Sequence, residues 1–189
     1  MTIISSKIDI ACDIHNKMNY TFTKRVAKWG IITSLALILS FIESLIPFFF
    51  GIPGMKLGLC NIIVVILLDI ASWQEAIIVN LLRIILSGFM FGNPFSIIYS
   101  LGGALVSFAV MLILYKSRLF SLTGISMAGG FSHNMGQLMV CAVFLSSKYV
   151  FWYAPWLMAA GIITGTLVGI LSVEILKRIK NINSQIVES

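Results

Sequence analysis

The chain has 189 residues, of which 59% are hydrophobic and only 11% charged. Soluble domains run at about 45–50% apolar and about 25% charged, and a chain of this length has no interior large enough to hide the excess, so a water-soluble enzyme is excluded. The formal net charge of +6, from 13 Lys and Arg against 7 Asp and Glu, has the sign of a nucleic-acid binder but not the placement. The cations gather beside apolar runs, with Lys24, Arg25 and Lys28 before the first and Lys177, Arg178 and Lys180 after the last. That is the pattern of helix flanks at a lipid bilayer, not of a basic face with exposed aromatics, and no nucleic-acid partner is expected.

At about 20 residues per spanning helix, the composition predicts an all-α integral membrane bundle of six transmembrane helices. Residues 1 to 23 are mixed and polar and form a cytoplasmic tail without the plan of a signal peptide. The spanning domain occupies residues 24 to 177, followed by a second cytoplasmic tail over 178 to 189. The first helix runs from about Lys24 to Ile46, stops at Pro47, and acts as its own insertion signal. A loop rich in Phe, Gly and Pro covers Pro47 to Met55. A short second span runs from Lys56 to about Ile70, and a third from Trp73 to Met90 despite containing Glu75 and Arg83. Pro94 opens a fourth that reaches Tyr115. The fifth runs from Ser121 to Leu145 and the sixth from Trp152 to Leu176. The runs are continuous rather than alternating, which excludes a β-barrel.

Six spans put both termini on one side, and the positive charge of the tails and of the Lys116 to Arg118 turn makes that side cytoplasmic in a multi-pass protein of the cell membrane. Trp152, Tyr153 and Trp156 then anchor the outer end of the last helix. Cys12, Cys60 and Cys141 are an odd set without CxxC or His spacing, so neither a disulfide framework nor a metal site is indicated, and no cofactor is expected.

Small residues at four-residue spacing let helix backbones approach in lipid. The fourth span carries Gly103 and Ser107, the fifth Gly124, Ala128, Ser132 and Gly136, and the sixth Gly161, Gly165 and Gly169, which read as internal contacts. Gly30 and Ser34 on the first helix serve either such a contact or a partner protein.

Polar residues at membrane depth are costly unless paired or facing water. Glu43, with Ser40 and Ser44 beside it, lies near the outer end of the first helix and is placed to meet Lys56 across the loop, as a structural ion pair or as a ligand contact. Asn61 lies further along the second helix, and Arg83 falls in the middle of an apolar run, where pairing with Glu43 or a bundle-stabilising role are both open. Asp69 and Glu75 flank the inner turn and are read as solvated. The densest group is Ser132, His133 and Asn134, followed by Gln137 one turn from His133. It either lines a cavity or bonds neighbouring helices, and Gly129 and Gly130 one turn earlier leave room for a flat ligand. There is no GxxxxGK[ST] loop, no HExxH, no GxSxG and no pair of Asp-rich motifs. ATP must be handled by a partner, and no catalytic apparatus is visible.

The stretches Pro53-Gly54-Met55-Lys56-Leu57-Gly58-Leu59-Cys60-Asn61 and Gly129-Gly130-Phe131-Ser132-His133-Asn134-Met135-Gly136-Gln137 resemble the Gx transporter family, also catalogued as heptaprenyl diphosphate synthase component I. The family resembles a branch of the substrate-binding S components of energy-coupling factor importers, and the likeness covers roughly Lys24 to Leu176. Cys60 takes a place where the family usually has Ala. The resemblance implies six helices around an outward-facing pocket, a lid over Pro47 to Met55, and docking of a transmembrane T component on Gly30 and Ser34, in place of the usual Ala-xxx-Ala. Two ATPase subunits bound to the T component would then drive uptake of a small molecule, with the S subunit toppling in the bilayer.

Two other readings stand beside it. One is a partner in making long prenyl diphosphates, which the missing Asp-rich motifs oppose. The other is a membrane scaffold in a quinone or flavin electron-transfer system. The mixed charges of Glu43, Lys56 and Arg83 suit a vitamin-like, isoprenoid, flavin or porphyrin ligand, and the residues assigned to it are Glu43, Lys56, Asn61, Arg83, His133, Asn134 and Gln137.

Overall fold

The structure is a computed structural model that describes residues 2–45 and 58–188. Among the described residues every regular element is helical: α1 (Thr2–Leu45), α2 (Asn61–Ile70), α3 (Trp73–Phe91), α4 (Pro94–Ser117), α5 (Leu122–Leu145) and α6 (Ala154–Glu188), with a short 3-10 helix at Lys148–Tyr153. The all-α architecture with six helices agrees with the sequence. Two helices are longer than expected, and for the same reason. No Gly or Pro stands between Thr2 and Trp29 or between Lys177 and Glu188, so nothing stops the backbone ladder in either polar tail, and both continue their neighbouring helix.

The helix starts are written locally. Ser72, Asn93 and Ser121 are N-caps whose side chains accept from the backbone N–H three residues on, at Glu75, Ser96 and Gly124, satisfying donors that a helix start leaves open. Pro94 and Pro155 stand in first turns, where a missing N–H costs nothing. Arg118 and Ser146 end α4 and α5 in the left-handed region, at φ 55° and 47°.

Among the described residues, four stretches are long and apolar enough to cross a membrane: Thr23–Leu45, Trp73–Phe91, Pro94–Ser117 and Tyr149–Ile182. Two of the six expected spans therefore differ in kind. Helix α2 has 10 described residues, about 15 Å at 1.5 Å each, which is half the hydrocarbon thickness. Its side chains Ile62, Ile63, Val64, Val65, Leu67 and Leu68 are buried inside the bundle. The preceding residues, with Lys56 and the expected lid Pro47 to Met55, lie outside the described residues. Helix α5 is long enough but too polar on average, because it is the central helix and packs most extensively against α4 and α6. Ser126, Ser132, Asn134 and Gln137 are all buried there, facing protein rather than lipid.

That central packing is made by backbone approach. A Cβ built at Gly161 would sit 2.6 Å from the Gly130 carbonyl oxygen, one at Gly165 2.7 Å from that of Ser126, and one at Gly136 2.7 Å from that of Gly102. The hydroxyls of Ser126 and Ser107 donate across the same seams, to the carbonyls of Gly165 (2.7 Å) and Gly129 (2.8 Å). The small-residue stripes on α4 and α6 are thus contact faces, but on α5 the seam toward α6 runs through Gly130 rather than Gly124, whose added Cβ would meet only Ser121 Oγ at 3.5 Å. Gly129 and Gly130 are filled by Met111 and by α6, so they leave no space for a flat ligand.

At one end of the bundle Lys28 pairs with Glu75 (3.1 Å) and Lys180 with Asp69 (3.0 Å), tying α1 to α3 and α6 to α2. Both carboxylates are only 18% exposed; they are paired rather than simply solvated, because the tails extend as helices past the α2–α3 turn. The tails therefore leave from the same end, where Lys116 also stacks over Trp73 at 5.9 Å.

Gly130→Ala should lower unfolding free energy by about 1–3 kcal/mol through forced separation of α5 and α6. Gly124→Ala should be neutral or stabilising by up to about 1 kcal/mol. Thermal melts of the two variants in detergent check the contrast, and equal melting would refute the seam.

Candidate functional site

At the end of the bundle away from the paired tails, α1, α3, α4, α5 and the residues before α2 surround a cavity of about 220 Å³. Its wall is polar for a membrane-embedded chain. Helix α1 supplies Ser40, Glu43 and Ser44, the turn before α2 supplies Gly58 and Cys60, α2 begins with Asn61, and α3 with its C-cap supplies Arg83, Ile84, Ser87, Gly88, Phe91 and Gly92. Ser96 and Ser100 come from α4 and His133 from α5.

Glu43 organises the rim. Its Oε1 accepts from the backbone N–H of Gly58 at 2.5 Å and its Oε2 from the Cys60 thiol at 3.1 Å, charge-assisted bonds that hold the chain as it enters α2. Gly58 sits at φ +69°, a left-handed conformation that a Cβ would strain, and its carbonyl accepts from Asn61 N–H at 2.8 Å to begin the helix. Cys60 is buried and also lies 3.1 Å from Ser40 Oγ. It is a polar-contact thiol, not one packed among apolar side chains.

Arg83 is held from its own helix, its Nη2 donating to Asn80 Oδ1 at 2.8 Å, while its Nε is buried without a partner. Glu43 and Arg83 face the same space but form no ion pair, because the Glu43 carboxylate is taken by the rim. The lining serines spend their protons locally: Ser40 on Ala36, Ser44 on Phe41 and Ser87 on Ile84 carbonyls. Their lone pairs are the groups left for another molecule.

Of the residues assigned to a ligand, the structure brings Glu43, Asn61, Arg83 and His133 to one cavity. Lys56 lies outside the described residues. Asn134 points the other way on α5 and donates to the Leu157 carbonyl on α6 at 2.6 Å. Gln137 is 1% exposed, packed where a Cβ at Gly103 would fall, and neither its amide oxygen nor its nitrogen has a partner. Ser87, Gly88, Gly92, Ser96 and Ser100 were not singled out from sequence. The signal was present as small residues at four-residue spacing, Gly88 with Gly92 and Ser96 with Ser100, near the facing ends of two helices. Among the described residues no three His, Cys, Asp or Glu side chains gather as a metal centre.

A second feature lies on α1. Ala27, Gly30, Ile31, Ser34, Leu35 and Ile38 line a shallow groove on its outer face. A Cβ at Gly30 would meet nothing within 4 Å, and the Ser34 hydroxyl is satisfied by the Gly30 carbonyl at 2.8 Å. The face is small and polar-neutral at its centre and flanked by exposed Ile31, Leu35 and Ile38.

No curated protein and no solved structure matches the chain. A family model described as heptaprenyl diphosphate synthase component I matches residues 32–175, the stretch that contains every residue lining the cavity. The chain is a membrane protein that belongs to the heptaprenyl diphosphate synthase component I family.

Proposed function

We propose that this chain is a non-catalytic substrate-capture subunit, an S component of an energy-coupling factor importer that binds a small molecule on the outer side. The observation that carries the reading is the polar cavity at the end opposite the paired basic tails. Cations favour the cytoplasmic side, so the termini are cytoplasmic, the chain is multi-pass, and the cavity faces outward. Residues 24 to 177 form the substrate-binding domain. Glu43 fixes the rim, Asn61, Arg83 and His133 contact the ligand, and Lys56 is assigned to the same ligand from the sequence. The α1 groove at Gly30 and Ser34 docks a transmembrane T component, which brings two ATPase subunits. Small residues there let a partner helix approach closely, the main source of helix affinity in lipid.

A second reading starts from the family's description, a non-catalytic membrane subunit associated with heptaprenyl diphosphate synthesis, and extends it to quinone synthesis or membrane electron transfer. Incubating the purified chain with prenyl substrates and magnesium should give no product, and product formed without another subunit would overturn the first reading.

Coexpression with a T component and its ATPases should recover a complex. Gly30→Leu or Ser34→Leu should reduce that recovery to background without lowering the melting temperature, since neither position is packed inside the bundle. Undiminished assembly of both variants would remove the docking face. Native mass spectrometry of gently extracted protein should detect a retained small molecule; for that molecule His133→Ala should weaken binding by about tenfold, or about 1.4 kcal/mol.

The buried amide of Gln137 makes an unusual stability prediction. Leaving such a group unpartnered costs about 1–3 kcal/mol, so Gln137→Met, similar in shape, should be neutral or stabilising in thermal unfolding. Asn134→Leu should be destabilising, because it abandons the Leu157 carbonyl.

A further inference from the structure

We infer that the cavity takes a small hydroxylated anion, on the order of ten non-hydrogen atoms, whose carboxylate or phosphate is held by Arg83. The inference rests on the substrate-capture reading and names the chemistry of its ligand.

Size comes first. Sites for drug-sized ligands span about 300–1,000 Å³, and 220 Å³ is below that range. At about 30 Å³ for each water in the liquid, the cavity holds roughly seven waters. A prenyl chain of heptaprenyl length or a porphyrin is larger than that space.

Charge comes second. Among the described residues, Glu43 and Arg83 are the acidic and basic side chains that face the space, and they are not equally available. Both oxygens of Glu43 already accept, from Gly58 N–H and from the Cys60 thiol. Arg83 is the opposite case: among the described residues it makes one bond to a neutral amide oxygen, has no carboxylate partner, and buries its Nε without an acceptor. A guanidinium at membrane depth is expensive until an anion meets it, and its planar fork matches carboxylate or phosphate oxygens in pairs. The net demand of the cavity is for negative charge beside Arg83.

The remainder of the wall sets the remainder of the ligand. The hydroxyls of Ser40, Ser44 and Ser87 donate to carbonyls of their own helix, which leaves oxygen lone pairs facing inward as acceptors. A ligand that meets them must carry donors, such as hydroxyls or amide N–H groups. Gly88 on α3 and the C-cap Gly92 let Ile97 and Ser96 of α4 pack closely beside these groups. Anion at Arg83, donors toward the serines and an apolar part small enough to be covered by Ile84 and Phe91 describe one class of compound.

The test uses the full chain in detergent or nanodiscs, with thermal shift and calorimetry. The probes are gluconate, mandelate and glycerol phosphate, each set against its uncharged counterpart, gluconamide, mandelamide and glycerol, with heptaprenyl diphosphate as a separate arm. At least one anion should raise the melting temperature at millimolar concentration while its neutral counterpart does not. Arg83→Gln should weaken that anion by about tenfold or more, and Arg83→Lys, which keeps the charge without the fork, should recover part of the loss. Should Arg83→Gln fail to fold, Ser87→Ala read with the same anion takes its place, and a loss of stabilisation larger for gluconate, with its many hydroxyls, than for mandelate, with one, supports the donor side of the assignment. Stabilisation by neutral probes equal to that by anions, tightest binding of heptaprenyl diphosphate, unchanged affinity in Arg83→Gln, or no response to any anion overturns the inference. Coexpression with a T component reports separately on the importer reading. Anion binding without assembly sinks that reading and keeps this one, and assembly without anion binding does the reverse.

Discussion

The structure depends on how closely the backbone of α5 approaches its two neighbours. Lipid tails are as apolar as leucine, so burying apolar side chains gives membrane helices no strong reason to associate. What remains is dispersion contact and bonds between backbone and small side chains, and both require the helix axes to come near. Gly130 against Gly161, Gly165 against Ser126 and Gly136 against Gly102 supply that approach. The Ser107 and Ser126 hydroxyls add bonds that no longer side chain could make at such distances.

The location of the polar site follows from that seam. With α5 clamped between α4 and α6, its polar residues are divided by face. Asn134 is committed to α6 and Gln137 is enclosed against α4, while His133 alone of the dense cluster reaches the cavity. The other wall is organised differently, by a carboxylate that grips a backbone N–H and a thiol at the start of α2. One wall is thus fixed by close packing and the other by charge-assisted bonds, with Arg83 between them holding donors in reserve.

Much of this was legible in the chain. Apolar content, the placement of cations and the breaks at Pro94 and Arg118 specify an all-helical membrane protein and the extents of α3, α4 and α5 to within two residues, because such signals are local. The motif around Gly58 and Asn61 and the one around His133 also pointed to the family before any geometry was known. The polar serines and glycines at the facing ends of α3 and α4 were less legible, since a small residue near a helix end reads equally as packing, capping or lining.

Composition and the order of polar and apolar residues determined the solvent this protein lives in, its helices and the short set of polar side chains that need partners, because transfer into lipid is decided residue by residue. Which partner each of them found was a matter of tertiary structure. Whether Glu43 meets Arg83 or the Gly58 backbone, and whether Asn134 faces a ligand or Leu157, depends on the rotation of each helix about its axis. Contacts distant in sequence set that rotation, and no local pattern encodes it.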